Sequence, residues 1–188
     1  MMERSSKFLS ISGLSGVLAG TFALVGAALA YFILKGELSF TGSNLYDLVI
    51  VAAVVLILAV SVGLVFSMRK AKKNNSRLWM PATVQIAKDF CVPLLVGGVF
   101  CVILICQHAT RMVAPAMLIF YGLALIAAGS RTYRDVKILG VCEIILGLLA
   151  GIFVYNGLLF WAIGFGILHI VYGIVIYCKY DMKSGKNG

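Results

Sequence analysis

Acidic side chains are scarce in this chain, with seven Asp and Glu among 188 residues. One carboxylate, Glu143, lies within an apolar stretch, or two if Asp89 is counted, and no Ser/His/Asp or Cys/His arrangement accompanies them. The two histidines, one inside an apolar stretch, are too few for the paired axial ligands of a membrane cytochrome. Sequences of the forms G-x-x-x-x-G-K-[ST], G-x-G-x-x-G, H-E-x-x-H and G-x-S-x-G are all missing, which removes the common phosphate-cradling, zinc-protease and serine-hydrolase mechanisms. The five cysteines are odd in number and lack C-x-x-C spacing, so they read as small reduced apolar residues, with neither a disulfide framework nor a metal site. No catalytic residue, cofactor or metal is expected. Long polar segments are also missing, which excludes a separate folded domain outside the apolar regions.

What the chain has instead is apolar surface. Hydrophobic residues make up 62% of it, charged residues 12%, and the mean hydropathy is +1.04. A soluble chain of this length cannot bury that much, so the reading is all-α: a polytopic transmembrane helical bundle forming one membrane domain over 1–188. Six spans are predicted at about 8–34, 48–67, 83–106, 112–129, 137–155 and 158–178. The net charge of +9 does not point to nucleic acid, because the charge is segregated. Fourteen of the sixteen Lys and Arg fall in alternate polar segments, and only Lys35 and Arg111 lie in the others. This positive-inside pattern places both termini in the cytoplasm of a multi-pass protein, with a bacterial inner membrane as the expected location.

Along the chain, the first span carries a stripe of small residues that includes a GxxxG, Gly16 to Gly20, and so predicts close helix packing within the subunit or at a dimer seam. Its basic start and Ala28-Leu-Ala30 imitate a signal peptide, but the apolar run is too long, so it is expected to stay uncleaved. Asp47 is placed to favour the start of the next helix, and Leu48 to Phe66 is apolar enough to face lipid. Arg69, Lys70, Lys72, Lys73 and Arg77 orient the chain and form a candidate contact for anionic lipid. Pro93 predicts a kink in the third span and Pro115 an interruption of the fourth. The short outer turn from Gln107 to Arg111, which contains His108, makes these two spans antiparallel neighbours. Comparison of 8–106 with 112–178 yields no persuasive internal match.

The residues with most chemistry lie in Lys137 to Lys179, two apolar helices expected to fold back at Tyr155-Asn156-Gly157. Glu143 and His169 then sit at one depth, about 19 to 20 Å from the bend. Gly140, Glu143, Gly147 and Gly151 share one helical face, and Ala162, Gly166, His169 and Gly173 share another. Small neighbours imply that both ionisable groups face protein, where a charge costs about 2.5 to 3.5 kcal/mol unless partnered. A shared hydrogen bond or proton is one reading, with Tyr121, Tyr133 and Arg134 as further members. A purely structural bond that sets helix register is the other.

The opening Ile11-Ser-Gly-Leu-Ser-Gly-Val-Leu-Ala-Gly20 and the closing Phe160-Trp-Ala-Ile-Gly-Phe-Gly-Ile-Leu-His-Ile-Val-Tyr-Gly173 resemble small uncharacterised six-span bacterial inner-membrane proteins. That resemblance implies no activity. Size and span number are also similar to the substrate-binding subunits of energy-coupling-factor transporters, whose small-xxx-small patch on the first helix is echoed by Gly16 and Gly20. This likeness is architectural and carries over no ligand residues. The expected function is therefore non-enzymatic binding or transport of a small solute, at a polar site between spans five and six. The alternatives are an interaction protein assembling with a copy of itself or a partner membrane protein through Gly/Ala faces, and a membrane-embedded lipid-modifying enzyme. The bilayer itself is the one partner the composition requires.

Overall fold

A computed structural model describes residues 13–73, 81–130 and 134–181, and among these the chain is helical throughout apart from its turns. The helices are α1 (Gly13–Leu34), α2 (Asn44–Lys73), α3 (Pro81–Cys106), α4 (Val113–Gly129) and α5 (Arg134–Ile152), followed by a final helical rod. That rod, α6, joins the segments Gly157–Trp161, Ala162–Leu168, His169–Ile176 and Tyr177–Asp181, of which the second and fourth are π-helical. Helix is what apolar solvent demands, since every backbone N–H and C=O must find its partner within the segment. Five of these helical stretches are long and apolar enough to cross a bilayer. The remaining helix, α5, has 19 residues, which spans about 28 Å, and its charges are gathered near its start except for Glu143. The protein is thus an all-helical integral membrane protein.

Helix ends are closed by specific devices. At the end of α1, Gly36 adopts φ +75°, its N–H donates to the Ile33 carbonyl and that of Glu37 to Phe32. His108 makes the same left-handed turn after α3 with φ 57°, and the N–H groups of His108 and Ala109 donate to Ile105 and Leu104. Both are Schellman closures, the second using a residue other than glycine. Pro115 does not interrupt α4, because it falls in the first turn, where backbone N–H groups lack helical acceptors in any case. Helix α3 likewise continues through Pro93. The α5–α6 connection is a single 3-10 turn at Val154–Asn156, and Gly157 is already helical at φ −52°. Glycine there supplies room rather than a special dihedral: a Cβ would lie 3.3 Å from that of Ala114.

Asp47 fixes the α1–α2 loop. Its carboxylate is fully buried and accepts from Ser39 Oγ at 2.9 Å, Phe40 N at 3.0 Å, Thr41 N at 2.9 Å and Thr41 Oγ1 at 2.7 Å. The side chain therefore folds the loop onto the helix start instead of capping its own helix.

The described residues divide into two compact units, one comprising 67–73, 81–130 and 134–160 and the other 13–66 with 161–181. In the first, α4 packs along α5 and α3 packs along α4. In the second, α6 packs along α1. Both central pairs approach to backbone distance. A Cβ on Gly122 would come 2.6 Å from the Gly140 carbonyl oxygen, and one on Gly20 would come 2.6 Å from that of Gly166. Such contacts replace hydrophobic driving force, which is absent between helices in lipid, with dispersion and Cα–H···O attraction. The other two helices meet their neighbours through side chains rather than backbone, α3 through Gly97 against Phe120 and α2 through Val55 against Gly26.

Gly20→Ala and Gly122→Ala should each destabilise the detergent-purified protein by about 1–3 kcal/mol, since the obstacle is backbone and cannot step aside. Gly63→Ala and Gly98→Ala, where nothing lies within 4 Å, should cost nothing in the same thermal unfolding assay. Asp47→Ala should leave the helices in place but expose the 35–43 loop to proteolysis in reconstituted vesicles.

Candidate functional site

Glu143 is 0% and His169 8% exposed, and each lies between two glycines of its own helix. Gly140 precedes Glu143 by three residues and Gly147 follows by four; Gly166 and Gly173 stand in the same relation to His169. The glycine stripe predicted on α5 is met by α4: Gly140 approaches the Gly122 carbonyl, and Gly147 approaches Ile119 N and the Pro115 carbonyl. The stripe predicted on α6 is met by α1, where Gly166 lies against Leu24 and Gly173 against Val17 and the Gly13 carbonyl. Each ionisable side chain is therefore carried on the glycine-packed face of a helix pair, Glu143 in one unit and His169 in the other.

The histidine has a defined ring orientation. Its Nδ1 lies 3.0 Å from the carbonyl oxygen of Gly164, five residues earlier, within the π-helical stretch. A carbonyl oxygen only accepts, so Nδ1 carries the hydrogen and donates. The widened π turn brings that carbonyl into range, and π segments of this kind recur at functional positions. Phe165 stacks on the imidazole at 6.0 Å between centroids with an interplanar angle of 25°, and Trp161 packs on Phe165 at 5.2 Å. One side of α6 thus presents Trp161, Phe165 and His169 at successive helical turns.

The other predicted residues fall in several places. Tyr121 is half-buried on α4, in the same unit as Glu143, with its ring edge-on to Phe90 at 6.0 Å. Gly16 and Gly20 face α6 of the same chain, where the Gly173 Cα lies 3.0 Å from a Cβ built on Gly16. Gly151 is only loosely packed, with the Pro115 Cβ at 4.0 Å. Arg69 is exposed near the end of α2, whose backbone continues through Lys70, Lys72 and Lys73. Tyr133 and Arg77 lie outside the described residues. The two cations of the predicted outer segments each cover a tyrosine: Lys35 lies 4.8 Å from the Tyr31 ring centre and Arg111 4.4 Å from that of Tyr155.

Sequence reasoning missed Gly122, Gly13 and Ile119, the partners that the stripes on α5 and α6 require. Gly122 has larger residues three and four positions away on both sides, Leu118, Ile119, Leu125 and Ile126, so no small-xxx-small spacing marked it. Among the described residues no three His, Cys, Asp or Glu side chains gather as a metal site would require.

The tautomer can be read directly: the 15N spectrum of His169 in bilayers above its titration range should show a protonated Nδ1 and an imine-type Nε2. The reverse assignment would remove the Gly164 bond. No protein-family model, curated protein or solved structure matches this chain.

Proposed function

We propose that this protein is a non-enzymatic binder or carrier of a small solute, crossing a bacterial cytoplasmic membrane six times with both termini inside. Glu143 and His169 are its proton-exchanging and ligand-contacting groups. The observation that carries the reading is the enclosure of an acid and an imidazole, 0% and 8% exposed, on helices whose turns between the charged ends are otherwise largely apolar. Placing an ionisable group at such depth costs about 2.5 to 3.5 kcal/mol on insertion scales, a cost that a hydrophobic residue avoids. A bond needed only for helix register is poorly served by such a group when glycine contacts already set the register of both pairs. The concentration of Lys and Arg in alternate polar segments supports the orientation. The Gly16–Gly20 face, the natural candidate for a partner helix, is taken by α6 of the same chain, which weighs against assembly through that face.

Native mass spectrometry of the protein, extracted gently from its own membrane, tests this reading. A stoichiometric small-molecule adduct is expected, with Glu143→Gln and His169→Ala each weakening its retention about 10- to 100-fold, as loss of a hydrogen bond to a charged group would. An empty protein, or an adduct indifferent to both variants, overturns the proposal.

A further inference from the structure

The two central helix pairs share one pattern. Over the eleven residues Gly140 to Ala150 and Gly166 to Ile176, buried, half-buried and exposed positions follow each other in the same order without a mismatch. The sequences Gly140-Val-Cys-Glu-Ile-Ile-Leu-Gly147 and Gly166-Ile-Leu-His-Ile-Val-Tyr-Gly173 agree at both glycines and at the isoleucine after the ionisable residue. The partner helices agree as well. A Cβ on Gly122 would meet Gly140 O at 2.6 Å, Ile144 Cγ1 at 2.7 Å and Ile144 N at 3.0 Å. One on Gly20 would meet Gly166 O, Ile170 Cγ1 and Ile170 N at the same three distances. At the next contact, Gly147 meets the backbone N of Ile119 and the Pro115 carbonyl, where Gly173 meets the backbone N of Val17 and the Gly13 carbonyl. Both pairs run antiparallel, since in each the contacts climb one helix as they descend the other. In this correspondence α1 matches α4 and α6 matches α5, and Glu143 matches His169.

We propose that the chain is built on an internal duplication of one glycine-packed helix pair, and that Glu143 and His169 are the same functional position in its two copies. The second half rests on the solute-binding reading above; the first does not. Duplication explains why a collinear comparison of the halves fails. One copy is a hairpin of consecutive helices, while the other joins the first helix to the last, so a linear alignment sets α5 against α2. The acid and the imidazole differ in chemistry, so the copies have diverged at the position where the function resides while keeping the packing that presents it.

Dicyclohexylcarbodiimide, which adds to protonated carboxyl groups in apolar surroundings, probes the equivalence without a known solute. In the full-length protein, Glu143 is labelled in the parent; in a Glu143→Gln/His169→Glu variant the label is read at position 169 instead, with Asp47 and Asp89 unchanged in both proteins. If the two surroundings are copies, the labelling rates agree to within about three-fold, half a decade. A monodisperse variant that labels at a rate ten-fold or more apart overturns the proposal. A second protein exchanges the blocks 140–150 and 166–176 reciprocally, beside a control in which each block is shifted by one residue and so turned by about 100° on its helix. The exchanged chain should stay monodisperse and melt within about 5 °C of the parent while the shifted control aggregates. An exchanged chain that aggregates like the control overturns the duplication. Matching labels and a stable exchange, with no adduct in native mass spectrometry, would leave the duplication standing and remove the solute-binding reading alone.

Discussion

The close approach of glycine to backbone across two helix pairs is the contact on which the rest depends. In lipid a leucine gains nothing by turning from a hydrocarbon tail to a neighbouring helix, so association rests on atoms brought within dispersion range and on weak Cα–H···O bonds. Only residues without a side chain permit that range, and here Gly20, Gly122, Gly140, Gly147, Gly166 and Gly173 stand at the contacts. Packing at that distance also fixes rotation. Because glycine, ionisable residue and glycine follow one helical face, the register that seats the glycines is the register that turns Glu143 and His169 inward.

The outer parts use different means. Polar ends lie where water and headgroups compete for hydrogen bonds, and there the structure relies on directed bonds. Asp47 gathers the loop 39–41 through both carboxylate oxygens. Two left-handed turns, at Gly36 and His108, close α1 and α3. Lys35 and Arg111 settle over tyrosine rings, which screens their charge while leaving them near the interface.

Enclosing an acid and an imidazole gives each unit one chemically capable side chain within an otherwise inert set. The imidazole is held by a carbonyl that a π turn brings into range, so its ring has one orientation. The carboxyl occupies the corresponding place on a regular α-helix. Equivalent packing with unlike chemistry is the pattern expected where two copies of a fold have specialised.

Helix, membrane residence and the inward turn of the two ionisable groups were legible in the sequence, because each follows from local rules. Runs of about twenty apolar residues must be helical in lipid, and glycines spaced three and four apart around a polar group define a face. Which surface meets that face is not a local property. The stripes on α5 and α6, adjacent in the chain, suggested each other as partners, yet α5 is met by α4 and α6 by α1. A stripe of glycine accepts any helix able to come close, so the choice is made by the whole set of competing pairs. The π turn at His169 and the clasp at Asp47 were likewise invisible, since both depend on distances between groups rather than on residue type. The sequence by itself determined the solvent, the secondary structure and the identity of the buried polar residues. Tertiary structure alone decided the pairing, and with it the likeness of the two halves, because backbone-to-backbone contact is selective only once all the helices are present.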